Sequence, residues 1–451
     1  MRIVVAGAGA GKTTSMAQQV LDRYKIIEQG KIIYIITYTN AAKNQIRNKI
    51  IELHGAIPDQ VKIETSHSFL LQEIIFPFNH LLYDQLYTKT SIITLPSRSD
   101  YRAVRIKELK KENIVHAEEV TQIAKFVLVG KTSDKRELKE KRRKIIMIIA
   151  RYLDSLFIDE VQDIDENLSK IIEVLHTNHI NLHLVGDPKQ DLRGRNELRM
   201  LVEKYDMHVE YKEENYRCPI SHVNYVNQYV PQKEAQKHQT TELGVLEYQF
   251  ESEINLEEFI QSENYCHKYI YQRNDRFTTN IREGQNNADL LKYELKKLIM
   301  RSQHAEDKPD NRAYRLNKAI QRNIHSMDNW KIINRISRAL LLELTSQDKA
   351  RLQHALTLSR EKQAEKRIEV ESIDRVKGLE GERCLFILSV ELAGYLFLEK
   401  TQTNKMLNYL YVALTRSKNT LTILITKEVE EKYGKEWITE KMSVLLKVHE
   451  I

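Results

Sequence analysis

Residues 6–13 read Ala-Gly-Ala-Gly-Ala-Gly-Lys-Thr, and no other segment constrains the fold so tightly. An apolar run, Arg2-Ile-Val-Val-Ala6, precedes them and a helical pattern starts at Lys12. Strand, glycine-rich loop and helix in that order make the Walker A arrangement, with Ala6 in place of the usual first glycine. Glycine lets successive backbone N–H groups turn toward phosphate oxygens, and the helix N-terminus adds partial positive charge. The backbone of Gly7, Ala8, Gly9, Ala10, Gly11, Lys12, Thr13 and Thr14 would cradle the phosphates. Lys12 would reach the β- and γ-phosphates, and the Thr13 hydroxyl would ligate Mg²⁺.

Elsewhere glycine is scarce, with 14 in 451 residues and only Gly244 and Gly284 between Arg195 and Lys377. With 7 prolines, this excludes a linker or low-complexity chain and implies a helix-rich globular protein. Buried-strand runs at 32–37, 61–65, 155–159 and 182–186 alternate with helical stretches, as a covered parallel sheet requires. A second set falls at 207–211, 267–272, 383–390 and 419–425. The expected fold is therefore α/β, with two parallel-sheet domains that each carry a short helical insertion. The first domain is expected at 1–79 and 146–207, with a basic helical insertion at 80–145. The second is expected at 208–275 and 367–451, with a helical insertion at 276–366.

The net charge of +7 is matched by residues 101–150 alone, where 14 Lys and Arg face 7 Asp and Glu. That weakly favours a nucleic-acid partner. Three widely spaced cysteines argue against a zinc site or a disulfide framework. No apolar run reaches the roughly 18 residues of a membrane span, and Met1-Arg2 leads straight into a strand, so a cytoplasmic protein without signal peptide or membrane partner is expected.

A triphosphate site needs a second metal ligand and a base. Ser155-Leu-Phe-Ile-Asp-Glu-Val-Gln-Asp163 supplies both. Asp159 falls at the C-terminal end of a buried strand, where α/β proteins bind ligands. It would hold Mg²⁺, and Glu160 would orient and deprotonate the attacking water.

These two motifs resemble those of superfamily 1 helicases of the UvrD/Rep/PcrA type, and others follow in the family's order. They are Thr37-Tyr38-Thr39-Asn40-Ala41-Ala42, Thr65-Ser66-His67-Ser68-Phe69, Gly186-Asp187-Pro188-Lys189-Gln190 and Asn215-Tyr216-Arg217. Tyr271-Gln272-Arg273-Asn274, Lys377-Gly378-Leu379-Glu380 and Tyr411-Val412-Ala413-Leu414-Thr415-Arg416 complete the set. The resemblance implies two RecA-like domains with ATP and Mg²⁺ between them. Gln190 would sense the γ-phosphate, and Arg217 and Arg416 would reach across as arginine fingers, worth roughly 10³–10⁵ in rate. Tyr216 would stack on the base, a buried core position being its alternative, and Glu380 would bind the ribose. Tyr38, Thr39, Asn40, Ser66 and His67 would face DNA.

Three departures matter. The chain starts at the phosphate-loop strand, without the family's adenine-reading glutamine segment, so other NTPs or dNTPs are expected as substrates too. The family's aromatic residues after Gln190 are missing, and Asp191-Leu192-Arg193-Gly194 follows directly, so single-strand grip is expected to be weak. Asp374 stands where the family carries a histidine near DNA. The insertions are short, and Lys139, Arg142 and Arg143 could contact duplex phosphates or form a solvated face. This compact layout, with Glu73-Ile-Ile-Phe-Pro-Phe78, is similar to the helicase-like B subunits of Gabija antiphage defence systems. That resemblance implies a hetero-oligomer with an OLD-like nuclease of TOPRIM type. Two readings stay open. One is a DNA-sensing NTPase subunit of an antiphage nuclease complex. The other is an autonomous 3′-to-5′ single-strand translocase in repair or recombination.

Overall fold

The computed structural model describes the chain except residues 97, 263–264, 280–286, 303–308, 325–326, 365–367 and 448–451. The expected boundary at 366 lies outside the described residues. Two compact units emerge: Met1–Asn255 with Glu263–His267 and Val376–Ile451, and Leu256–Ser262 with Lys268–Arg375.

The first unit holds a six-stranded sheet of β1 (Arg2–Ala6), β2 (Ile32–Thr37), β3 (Val61–Thr65), β4 (Leu153–Ile158), β5 (Asn181–Gly186) and β6 (Val209–Lys212). Its order is β3-β2-β4-β5-β1-β6, and every pairing is parallel. Runs such as Ile32-Ile-Tyr-Ile-Ile-Thr37 are apolar at successive positions because helices cover both faces of a parallel sheet. The order places the C-terminal ends of β1, β4 and β5 side by side, so the loops after Ala6, Ile158 and Gly186 converge.

One strand is corrected. The run at 207–211 is expected in the second set, but β6 pairs with β1, Val4 opposite Glu210 and Val5 opposite Tyr211. It closes the edge of the first sheet. The second set begins instead with β7 (Val245–Phe250), whose apolar run is broken by Glu247 and Gln249. β7, β8 (Gly381–Leu388) and β9 (Ser417–Ile425) run parallel in the order β7-β9-β8. The helix Lys405–Leu414 buries Leu407, Leu410 and the run Tyr411–Leu414.

The basic stretch after residue 80 folds as helices Ser99–Lys111, Val120–Leu128 and Arg136–Tyr152 plus the strand pair Lys89–Ser91 and Ile114–His116. Val120, Ile123, Val127, Ile145 and Ile149 share one core with Ile3, Ile36, Leu156 and Leu184 of the first sheet. The stretch is therefore built onto that sheet. Arg142 is a correction: it is buried, 2.5 Å from Asp134, and donates to the Val127 carbonyl. A guanidinium neutralised inside the core does not meet phosphate. Lys139 and Arg143 on the same helix are exposed.

The second unit contains helices Asn287–Arg301, Pro309–Asn323, Asn329–Leu340 and Ser346–Ala364. Their core includes Leu291, Leu295, Ile299, Ile333, Ile336 and Leu356. Short parallel pairings join Tyr269 to Glu371 and Phe277 to Ile368. No helix among the described residues is long and apolar enough to cross a membrane.

Candidate active site

The phosphate loop leaves β1 at Ala6. Gly9 and Gly11 have φ of 74° and 68°, the left-handed region that strains any side-chain-bearing residue. Gly11 caps the helix Lys12–Tyr24, whose first turn carries no acid, so its partial positive charge is uncancelled. Lys12 Nζ lies over the loop and donates to the carbonyls of Ala6 (3.3 Å) and Gly7 (3.2 Å). Thr13 follows at the helix start, half-buried, and Thr14 is exposed.

Facing it, β4 ends at Ile158 and delivers Asp159 and Glu160. Asp159 is 4% exposed, and its carboxylate accepts from the Glu160 N–H at 3.0 Å. Burial first, then the Glu160 charge, push its pKa up to about 7, with Lys12 pulling the other way. A cation would relieve that cost. Among the described residues no group of three or more His, Cys, Asp or Glu could hold a metal alone. Asp159 and the Thr13 hydroxyl nonetheless fit Mg²⁺, which commonly binds one or two protein oxygens with substrate phosphate and water completing its shell. Glu160 has φ of 53° and accepts from Gln162 Nε2. Gln162 in turn accepts from the Asp187 N–H at 3.0 Å, so one side chain links the loops after β4 and β5.

In the loop after β5, Gln190 is 4% exposed and donates to Asp187 Oδ2 at 3.0 Å. Lys189 lies 3.1 Å from Asp187 Oδ1. Burial would raise the Asp187 pKa, but the charges of Lys189 and Lys12 and the hydrogen bonds of Gln190 and Lys189 hold it below the usual range. Asp191 explains the short connection after Gln190. Its two oxygens accept from the N–H groups of Arg193, Gly194 and Asn196 at 3.1, 2.8 and 2.7 Å. One buried carboxylate thus closes the turn.

The chain after β6 packs on the phosphate loop. Tyr216 N–H donates to the Gly9 carbonyl at 2.9 Å. The Arg217 Cβ would stand 2.6 Å from a Cβ added at Gly9, so only glycine fits there. The Tyr216 ring is 62% exposed and lies 3.8 Å from where a Gly11 Cβ would sit. The buried-core alternative for Tyr216 is thereby excluded. Arg217 Nε is 2.5 Å from Glu380 Oε2, and Lys418 is 2.6 Å from Oε1. Burial would raise the Glu380 pKa, but the Lys418 hydrogen bond and the Arg217 charge hold it down.

Arg416 differs from expectation. It is 1% exposed and donates to the carbonyls of Val412 (2.9 Å) and Leu379 (3.1 Å) and to Thr415 Oγ1 (2.8 Å). In this conformation these bonds tie it to the segments around β8 and β9. Contacts not foreseen as site features are Tyr411 Oη, which accepts from the Ala8 N–H at 3.0 Å, and Gln236 and Glu234, which meet the first half. Polar residues buried in loops carry no periodic sequence signal, although Tyr411 lies inside a quoted motif.

The residues expected to face DNA are not equivalent. Tyr38 is half-buried, and burial followed by the charges of Asp165 and Asp163 raises its pKa strongly. Thr39 is exposed and caps the helix Asn40–His54 by accepting from the Ala42 N–H at 3.1 Å. Asn40 and His67 are exposed. Ser66 is a correction: it is 4% exposed at the start of a short helix capped by Thr65, and packing there leaves its hydroxyl no open face.

Residues 1–194 match the family model AAA_19, described as an AAA domain. The chain is 27% identical over 242 residues to the Gabija protein GajB of Bacillus cereus (strain VD045), covering 50% of this chain and 45% of that one. It is 26% identical over 234 residues to the ATP-dependent DNA helicase Rep of Buchnera aphidicola subsp. Baizongia pistaciae (strain Bp), covering 43% and 35%. It is 27% identical over 276 residues to a probable DNA helicase II homolog of Mycoplasma pneumoniae (strain ATCC 29342 / M129 / Subtype 1), covering 48% and 38%. The matches thus span less than half the length of each relative. A solved complex of an arterivirus nonstructural protein 10 (helicase) with DNA is 11% identical, with a TM-score of 0.38, over 95% of this chain and 62% of that one.

Proposed function

We propose that this chain, a relative of the superfamily 1 helicases of UvrD/Rep type with a resemblance to GajB, is a DNA-dependent NTPase. It would hydrolyse ATP between its two α/β halves, as a DNA-sensing subunit of an antiphage nuclease complex. The observation that carries the NTPase reading is the seating of Tyr216 and Arg217 on Gly9, with Glu380 beside Arg217. An exposed ring and a guanidinium from the second half thereby stand beside a phosphate loop in the first.

In this reading the loop N–H groups from Gly7 to Thr14 and Lys12 bind the phosphates. Thr13 and Asp159 would hold Mg²⁺, which supplies neutralisation of phosphate charge. Glu160 orients water and takes its proton. Gln190 senses the terminal phosphate. Tyr216 stacks on the base, and Glu380 meets the ribose once Arg217 swings from it to the phosphate. Arg416 must leave its carbonyl partners to act as a second finger, so hydrolysis would require closure of the halves.

The sensing role is favoured over processive unwinding by the turn closed by Asp191, where the family's stacking residues are absent. The nuclease partner, of OLD/TOPRIM type, is inferred from the likeness to GajB. An autonomous 3′-to-5′ translocase is the second reading, favoured by the matches to Rep and the helicase II homolog. Affinity purification from the native host, then ATPase assays with single-stranded, duplex and nicked DNA, separates them. A co-purifying nuclease and DNA-stimulated turnover without strand displacement support the first. A lone chain that unwinds forked duplex overturns it. Undiminished turnover in Lys12→Ala or Glu160→Gln overturns the site.

A further inference from the structure

We propose that the segment 231–236 is a two-pronged coupler, in which Glu234 and Gln236 position the two loops on which hydrolysis depends. This rests on the NTPase reading above.

The segment is firmly anchored. Pro231 opens a short 3₁₀ turn, Gln232–Glu234. Gln236 N–H donates to Asn227 Oδ1 at 2.9 Å, and Asn227 Nδ2 returns a bond to the Gln236 carbonyl at 2.8 Å. Lys237 and His238 then pair with Glu214 and Asn215, directly before Tyr216 and Arg217. A shift of this segment therefore moves the residues seated on Gly9.

The first prong is Glu234, 6% exposed. Its Oε2 is 3.3 Å from Lys189 Nζ and its Oε1 is 3.0 Å from Arg199 Nη1. Lys189 is 3% exposed and is shared with Asp187, which also holds Gln190. A buried ammonium between two carboxylates on different halves is stable only while both are near, because each carries part of its neutralisation. Arg199 Nη2 has no hydrogen-bond partner among the described residues, and a small cavity lined in part by Val5, Pro188, Arg199 and Glu234 borders the pair. That leaves the carboxylate room to change partners.

The second prong is Gln236, 8% exposed. Its Nε2 donates to the Ala8 carbonyl at 3.2 Å, and its Oε1 accepts from Asn215 Nδ2 at 3.1 Å. Its Cδ stands 2.5 Å from where a Gly7 Cβ would be, so the amide occupies the space that glycine leaves. Two residues apart, the prongs thus hold the loop that would sense the terminal phosphate and the loop that would cradle it.

The test compares full-length wild type with E234Q and Q236L. It measures affinity for a fluorescent ATP analogue, KM and kcat at saturating single-stranded DNA, and amide hydrogen exchange. Nucleotide affinity should stay within about threefold, while kcat falls about ten- to a hundredfold, the scale of a small misplacement at a site. E234Q should speed exchange at 187–191 and spare 7–11, and Q236L should do the reverse. Turnover within about twofold of wild type in both variants overturns the coupler. So does loss of protection at both loops, and beyond them, in either variant, which marks general destabilisation. A wild type that hydrolyses no nucleotide overturns the NTPase reading instead, and the exchange patterns then still decide whether each prong holds its own loop.

Discussion

Lys377 Nζ lies 2.7 and 2.8 Å from the two carboxylate oxygens of Asp163. The pair joins the segment before β8 to the turn after Glu160. Burial raises the Asp163 pKa, and the charge and hydrogen bond of Lys377 oppose that rise. Lys377→Met would leave a largely buried carboxylate unpaired, costing about 1–3 kcal/mol. Thermal unfolding should shift down accordingly. Because the pair ties the segment before β8 to the turn after Glu160, DNA stimulation of hydrolysis should fall more than basal turnover, which parallel ATPase assays with and without DNA would read.

Tyr216 is exposed beside the phosphate loop, where an aromatic ring has no packing role to fulfil. Tyr216→Ala should weaken nucleotide binding by about tenfold, the scale of one stacking contact of ~1 kcal/mol or slightly more. Tyr216→Phe should restore it, since the ring face and not the hydroxyl makes the contact. Titration of a fluorescent nucleotide checks both. Equal affinity in the alanine variant would remove Tyr216 from the site.

Much of the first half was legible because its chemistry is local. Glycines at Gly9 and Gly11 followed by Lys12-Thr13, and a buried strand ending just before Asp159, state their geometry within a few residues. The placement of β6 was not legible, because which sheet a short strand joins depends on a partner about 200 residues away in sequence, here Val4 against Glu210. Gln236 and Glu234 were missed for the same reason, being ordinary polar residues until the fold brings Ala8 and Lys189 to them. Arg142 had a readable signal. It precedes Ile145, Ile146 and Ile149 at helical spacing, which puts it on the buried face of its helix, while Arg143 falls outside that face; Lys139 lies at the face's edge and only the fold shows it exposed.

In the second unit, Arg301 donates to both oxygens of Asp348 at 2.8 and 3.1 Å. That hydrogen bond, against burial and with help from Thr345, lowers the Asp348 pKa from 3.8 to about 2. The folded value lies below the unfolded one, so the stabilisation is fully present above the unfolded pKa and is lost as pH falls through the window between them. Asp348→Asn should therefore destabilise the helical unit at neutral pH and reduce the acid dependence of its unfolding between about pH 5 and pH 2. Hydrogen exchange within Ser346–Ala364 across that range checks it, and an unchanged pH profile would contradict the assignment.

The helix Arg136–Tyr152 allows stability and DNA contact to be separated on adjacent residues. Arg142 is 6% exposed, pairs with Asp134 and also donates to Tyr83 Oη at 3.1 Å and to the Phe126 carbonyl at 3.3 Å. Removing one member of a buried pair leaves an uncompensated charge, and Arg142→Ala should cost about 3–5 kcal/mol. The double variant Arg142→Ala with Asp134→Ala should recover part of that loss, because the second change removes the stranded carboxylate. Lys139 and Arg143 are exposed, so their replacement by Ala should leave the unfolding midpoint nearly unchanged. If they touch duplex phosphates, that replacement should also reduce the slope of log affinity against log salt by about 1 per lost contact. Equal salt slopes in wild type and the Lys139/Arg143 double variant would make this helix face a solvated surface only, and Arg142 a purely structural residue within it.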